Sequence, residues 1–304
     1  MWFKNLVVYR LPSDWALSAP ELEAQLARRV LLPCGPFDML SRGWVAPSAS
    51  GRLVHTVNLQ HLIALGVNQK LLPGSIVRQV AAERAEVQAA EQGFPVGRRQ
   101  MRDIKLRVTE ELRSKALTRR RVTRAWIDPK NGWFIVDAAG ASRAEELVEY
   151  LRDTIGSFAV SMIETQRSPQ MSMAAWLRLG DAPLRFSIDQ DLELQSADKS
   201  KATIRYTRHP LAGKEIQAHL AAGMYVTRLG LTWHDRISFV LTEKIQVKRV
   251  DFLEMAKDPG EGEELDKAEQ FDIDFTVMAG ELAKLLDDLV IALGSETQRQ
   301  AAAA

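Results

Sequence analysis

The chain has 304 residues, enough for a substantial core and for two or three sub-domains, and its 46% hydrophobic and 26% charged residues exclude a disordered polymer. A single cysteine, Cys34, excludes an intrachain disulfide and fits a reducing compartment. No apolar run approaches the roughly 20 residues of a membrane helix, and Met1-Trp2-Phe3-Lys4 lacks the start of a signal peptide, so a soluble cytoplasmic protein with no membrane partner is expected.

The opening, Trp2 to Leu11, is aromatic and β-branched, stops at Pro12 and predicts a strand. Ser18 and Glu21 have capping-box spacing, which predicts a helix through about Arg29. Strands follow around Gly43-Trp44-Val45 and over Thr56 to Leu72, the second broken near Gly66. From Gly74 to about Gln92 the sequence is rich in Ala, Glu, Gln and Arg, with a thin apolar stripe. After the turn Gly93-Phe94-Pro95-Val96-Gly97, a second helix runs from about Arg98 to Leu117, with Met101, Ile104, Val108 and Leu112 on one side. Two narrow-striped helices with one tight turn predict an antiparallel hairpin projecting from the body.

Strand texture returns at Arg124–Asp128, turns at Pro129-Lys130-Asn131-Gly132 and resumes at Trp133–Asp137. A helix over Ser142–Ile155 and a strand over Phe158–Ile163 complete a ββαβ unit. A helix after Pro169 holds Trp176. Further strands are expected at Leu192–Leu194, Ala202–Tyr206, Tyr225–Trp233, Ile237–Leu241 and Val247–Phe252, with a short helix near Glu215–Ala222. Lys257–Glu269 reads as an acidic loop, Phe275–Leu293 as a last helix, and Glu296–Ala304 as a frayed tail. The fold class is α+β, a mixed α/β body of antiparallel-rich sheets with a two-helix arm. It comprises a central domain (1–73 and 119–166), a helical hairpin tip (74–118) and a second α+β domain with an acidic C-terminal helix (167–304).

Catalytic motifs are scarce. Five histidines (His55, His61, His209, His219, His234) are scattered without HExxH or CxxC, so no zinc site is expected. Gly213-Lys214 is followed by Glu215 where a phosphate loop needs Ser or Thr. No G-x-S-x-G occurs, and nothing near Cys34 would activate it. Asp189, Asp191 and Glu193 alternate, so on a strand they would share a face as nuclease carboxylates do; Asp272 and Asp274 have the same spacing. The commoner origin of such a pattern is an exposed strand face or a charged sheet edge. No catalytic residue, metal or cofactor is assigned, and the chain is expected not to be an enzyme.

The charge distribution carries more. The net charge of +1 hides eleven Lys or Arg against three acids between Arg98 and Arg124, and fourteen acids against four bases from Asp251 onward. On a helix Arg98, Arg102, Lys105 and Arg113 fall broadly to one side, and Arg119, Arg120, Arg121 and Arg124 cluster where helix gives way to strand. Such a surface neutralises phosphates of any duplex, whatever its sequence. The alternative is a solvated face of an arm that docks another protein. A second basic set, Lys199, Lys201, Arg205, Arg208, Lys214 and Arg228, lies on the later strands and loops.

Trp2-Phe3-Lys4-Asn5-Leu6 with Tyr9-Arg10-Leu11, Pro33-Cys34-Gly35, Gly43-Trp44-Val45, Trp126-Ile127-Asp128, and Phe271-Asp272-x-Asp274-Phe275 with Gly280-Glu281-Leu282 resemble the RdgC family of recombination-associated proteins, in order and over essentially the whole chain. The resemblance implies a ring-shaped homodimer of α+β subunits that encircles double-stranded DNA without sequence preference. It also implies association with the nucleoid and restraint of RecA-promoted recombination, with no catalytic activity or cofactor. In such a ring two subunit contacts, one near the tip, close a hole lined by basic residues. The resemblance places Arg119, Arg120 and Arg124 near the tip contact, and Arg208, Lys214 and Arg228 in the DNA-facing part. Where the family has phenylalanines before Trp126-Ile127, this chain has Leu117 and Arg120, which implies a more electrostatic tip contact.

Overall fold

The computed structural model describes residues 2–12, 14–253 and 266–297. In chain order the elements begin with β1 (Asn5–Arg10), α1 (Ala19–Leu26), β2 (Leu40–Val45), β3 (His55–Val57) and β4 (Gln60–Lys70). Next come α2 (Gly74–Gln92), α3 (Arg98–Lys115), β5 (Thr118–Asp128), β6 (Trp133–Asp137), α4 (Ala141–Ile155) and β7 (Ser161–Met162). The remainder is α5 (Pro169–Leu179), β8 (Phe186–Gln195), β9 (Thr203–Tyr206), α6 (Lys214–Ala221), β10 (Tyr225–Trp233), β11 (Ile237–Thr242), β12 (Val247–Phe252) and α7 (Lys267–Ala292). The class is α+β, with an extensive antiparallel sheet. Among the described residues no helix is long and apolar enough to cross a membrane.

Two compact units divide the chain: residues 1–23, 46–63 and 123–304 form the larger, and 24–45 with 64–122 the smaller. In the larger, antiparallel strands follow the order β5-β6-β1-β12-β11-β10-β8-β9. One face of this sheet is buried by α7, α5 and α6. Phe275, Met278, Leu282, Leu286 and Leu289 of α7, Met173 and Trp176 of α5, and Ile216 and Leu220 of α6 join Leu229, Leu231, Trp233, Phe239, Leu241 and Val250 in one core. Around β1, β5 and β6 the opposite face is covered too, as fully buried Ile127 and Val136 and the tilted rings Tyr9–Phe134 show, with Leu147 and Leu151 of α4 also buried. Burial pushes the Tyr9 hydroxyl up to about 12, with Glu145 adding to the rise.

The β3–β4 connection is a two-residue turn, Asn58-Leu59, with Val57 paired to Gln60. Both turn residues have positive φ (50° and 62°), the hairpin geometry that suits Asn then Gly. Leu59 is 79% exposed there, so its side chain packs little while its backbone is strained. Leu59→Gly is expected to stabilise the protein by up to about 1 kcal/mol, the relieved strain exceeding the added freedom of the unfolded chain. Urea unfolding with an unshifted or lowered midpoint would contradict this.

Several elements differ from what the sequence predicts. Thr56–Leu72 is a hairpin, not one strand, and β4 runs unbroken through Gly66, which lies opposite Gly43 of β2. The strand before Trp126 starts at Thr118, and α3 stops at Lys115; Thr118, Val122 and Thr123 suit a strand, and the run of three arginines between them masked it. The strand expected at Leu192–Leu194 is ten residues long; Phe186, Ile188, Leu192 and Leu194 supply the inward alternation that the interleaved charges obscured. Only Ser161–Met162 of the expected Phe158–Ile163 strand pairs, with β1. The last helix starts eight residues earlier than expected, with Phe271 edge-on to His55 and the Asp272 carboxylate 3.0 Å from His55 Nε2. The expected acidic loop lies outside the described residues over 257–265. Of the expected frayed tail, Glu296 binds Arg10 and Thr297 donates its N–H to Glu164 at 2.9 Å, while 298–304 lie outside the described residues.

Candidate nucleic-acid interface

The smaller unit holds sixteen Lys or Arg against seven Asp or Glu, and the larger twenty-four against thirty-two. The near-neutral chain is therefore a basic unit joined to an acidic one. Helices α2 and α3 form an antiparallel hairpin on a thin core of Ala81, Ala85, Ile104 and Val108, flanked by Val77, Val80, Met101 and Leu112. Gly93 closes α2 in the left-handed region (φ 77°), its N–H donating to Ala89 O at 2.9 Å. With the apolar stripe of α3 turned inward, Arg98, Arg102 and Lys105 stand exposed within an arc of roughly 60° of the helix surface. Arg98, Arg99, Arg102, Lys105 and Arg107 have no ion-pair partner among the described residues. Glu111 is already shared by Arg84 and Lys115.

Arg98 and Arg99 occupy the first turn of α3, which has no acidic residue. Cations at that end oppose the helix dipole at a cost of about 0.3–1 kcal/mol each at low salt. A surface that accepts this local cost has its charge placed for something other than helix stability. Arg113 is different: it is half-buried, and its Nη1 donates to Phe37 O at 3.3 Å. Arg119 and Arg120 on β5 are exposed and unpaired among the described residues, whereas Arg121 is half-buried and engaged. Arg124 belongs to the larger unit, half-buried, paired in register with Asp137, and its Nε is buried.

A second charged surface lies within the larger unit. Beyond β1 the helices α5, α6 and α7 pack on one face, and the opposite face of β12, β11, β10, β8 and β9, the open face, carries hollows. Asp189, Asp191 and Glu193 of β8, Arg205 and Thr207 of β9 and its following loop, Arg228 and Gly230 of β10, Ser238 and Val240 of β11, and Arg249 and Asp251 of β12 line adjoining hollows on it. Lys244 and Lys248 border a third hollow. The backbone here is irregular. One extra residue in β12 sets Arg249 and Val250 against Phe239, and Arg249 has φ 53°. Arg208 is also left-handed, at 53°, and its N–H donates to Asp191 at 3.1 Å. Bulges of this kind re-aim side chains, and positive φ in a non-glycine residue costs of order 1–3 kcal/mol.

The structure thus brings Arg208 and Arg228 to one face and joins Arg205, Lys248 and Arg249 to them. Lys214 opens α6 on the covered face and lines none of these hollows. Lys248 and Arg249 were missed from the sequence. Their signal is the double polar step between Val247 and Val250, which breaks two-residue alternation as a bulge does.

Asp189, Asp191 and Glu193 do share this face, as their alternation predicts, but each is engaged by protein groups. Asp189 accepts the Thr232 hydroxyl at 2.9 Å, and burial, with the neighbouring Asp191, raises its pKa despite that bond. Asp191 pairs with Arg249 at 2.8 Å. Glu193 accepts Arg205 at 2.6 Å and the Thr227 hydroxyl at 2.8 Å, with Arg228 at 3.6 Å. Burial works to raise the Glu193 pKa, but Thr227 and the two guanidiniums prevail and hold it below the usual range. Asp272 and Asp274 lie on α7, where two-residue spacing points side chains apart: Asp272 meets His55 and Asp274 accepts Gln270 at 2.9 Å. Among the described residues no three His, Cys, Asp or Glu side chains gather as a metal would require.

Residues 1–296 match the family described as "Putative exonuclease, RdgC". The chain belongs to the RdgC family. It is 50% identical to the recombination-associated protein RdgC of Dechloromonas aromatica, across 97% of this chain and 98% of that protein. With the proteins of the same name from Cupriavidus pinatubonensis and Herminiimonas arsenicoxydans the identities are 44% and 43%, covering 97% and 99% of this chain and 99% and 100% of theirs. Family membership spans both units, and so covers the basic hairpin and the open sheet face alike.

Proposed function

We propose that this protein binds double-stranded DNA through the phosphate backbone without reading its sequence, as a ring-shaped homodimer that surrounds the duplex. In this reading it is a cytoplasmic, nucleoid-associated factor that restrains RecA-promoted recombination and catalyses no reaction. The observation that carries DNA binding is the unpaired basic row Arg98, Arg102 and Lys105 on a unit whose charge is strongly positive, with exposed Arg119 and Arg120 on the same unit. Arg208, Arg228 and the arginines beside them offer a second phosphate-facing surface, and Arg113, Arg121, Arg124 and Lys214 are flanking candidates. The name shared by the relatives supports the link to recombination. Exposed Leu71 and Leu117, with the Leu71 N–H donating to Leu117 O, and exposed Phe37 support a subunit contact in the smaller unit. Arg119 and Arg120 beside them would make it part electrostatic.

The test is a gel shift with two unrelated duplexes in chelator across a salt series, with sedimentation on the same preparation. Expected are equal affinities for both sequences, a slope of log affinity against log salt near −0.9 per phosphate contact, and a dimer. Salt-insensitive binding would contradict a phosphate-backbone contact, and no shift of either duplex would leave a protein-docking module without DNA binding as the reading. Duplex degradation on adding magnesium, lost in chelator, would make the protein a nuclease.

A further inference from the structure

The open face of the larger unit spends much of its positive charge on itself. Arg205, Arg228 and Arg249 are exposed over half or more of their side chains (67%, 50% and 64%), yet all three reach carboxylates on β8. Exposed pairs of this kind contribute little to stability. Their geometric effect is definite, because Glu193 lies between Arg205 and Arg228 while Asp191 takes Arg249 and the Arg208 N–H. A phosphate arriving at these guanidiniums meets a site whose counter-ion is already supplied by the protein, and must displace it.

We propose that Glu193 and Asp191 limit the affinity of this face for DNA, acting as internal counter-ions that compete with phosphodiester groups for Arg205, Arg228 and Arg249. This rests on the duplex-binding reading above. The consequence is a surface that keeps its arginines extended and ordered but holds the backbone loosely, which suits a protein that encircles a duplex and must shift along it. Glu193 stays ionised well into mild acid, because Thr227 and the two guanidiniums outweigh its burial, so the competition persists across neutral pH.

The experiment compares the full-length wild type with Glu193→Gln and Asp191→Asn by fluorescence anisotropy on a labelled duplex, over a salt series. Amide oxygens still accept the Thr227 hydroxyl and the Arg208 N–H, so both variants should keep the wild-type circular dichroism and melting profile. Each cation freed should tighten binding roughly fivefold to tenfold at about 0.1 M salt and steepen the salt dependence by about 0.9. Asp181→Asn carries the same charge change on an exposed residue just beyond α5, which packs on the covered face, and sets the baseline for net charge alone. Folded Glu193→Gln and Asp191→Asn proteins that bind no tighter than Asp181→Asn overturn the proposal. Loss of fold in both would make the carboxylates structural and overturn it equally. A wild type that ignores duplex DNA is a different failure, that of the binding reading itself, and the first titration reveals it before any variant is compared.

Discussion

Replacing Arg98, Arg102 and Lys105 together by glutamate is expected to weaken duplex binding at least about a hundredfold near 0.1 M salt, and to flatten the salt dependence by about 2.7. Each of the three is exposed and without an ion-pair partner among the described residues, so each is free to neutralise a phosphate and release its counterion. The apolar side of α3, with Ile104 and Val108 in the hairpin core, is untouched. Stability should hold, and Glu at position 98 replaces a cation at the helix N-terminus by an anion, a change that favours the helix by about 0.6–2 kcal/mol. The expected signature is therefore a melting temperature equal to or above that of the wild type with DNA binding largely gone. A folded triple variant with wild-type affinity would remove the hairpin from the binding surface and leave the open sheet face of the larger unit to carry it.

That hairpin was legible in the sequence because everything that makes it is local. The stripe of Met101, Ile104, Val108 and Leu112, the Gly93 cap and the flanking Pro73 and Pro95 fix two helices and their turn, and the basic row follows from helical spacing alone. The open face was not legible, since it depends on which strands pair and where the register slips. Arg228 meets Glu193 only through the pairing of β10 with β8, and Arg249 reaches Asp191 only because β12 bulges against β11. The alternation of Asp189, Asp191 and Glu193 did announce a shared strand face. What the sequence could not supply were the partners from β9, β10 and β12 that turn a possible metal cluster into a set of arginine counter-ions. The start of β5 was hidden because three consecutive arginines follow directly on the basic helix α3 and interrupt the apolar alternation that marks a strand.

Gly43→Ala should cost the smaller unit about 3 kcal/mol and carry DNA binding away with it, although Gly43 is in β2 and bears no charge. Val30 and Leu31 cross directly over β2: Val30 bridges Trp44 in parallel, and the Leu31 N–H donates to Trp44 O at 3.0 Å. A Cβ on Gly43 would overlap the backbone N and Cα of Leu31 and the carbonyl carbon of Val30. Backbone cannot yield as a side-chain tip does, so the cost belongs at or above the upper end of the roughly 1–3 kcal/mol of overpacking. Gly66, paired opposite Gly43, supplies the internal control. A Cβ there would meet Leu31 Cδ2 and Val45 Cγ1, each at 2.7 Å, whereas the nearest backbone atom, the Gly43 carbonyl oxygen, stays at an ordinary 3.5 Å; the side chains, above all the end of Leu31, can give way as backbone cannot. Gly66→Ala is accordingly expected to cost less, about 1 kcal/mol, as for a modest misfit. Hydrogen exchange locates the effect: in Gly43→Ala the amides of β2 and of the second half of β4 lose protection, while those of α7 in the larger unit keep theirs. Since the basic row of α3 belongs to the same compact unit as β2, duplex affinity should fall with the hairpin's order. Equal stability of the two alanine variants would mean that the Val30–Leu31 crossing is not held against Gly43 as the backbone places it.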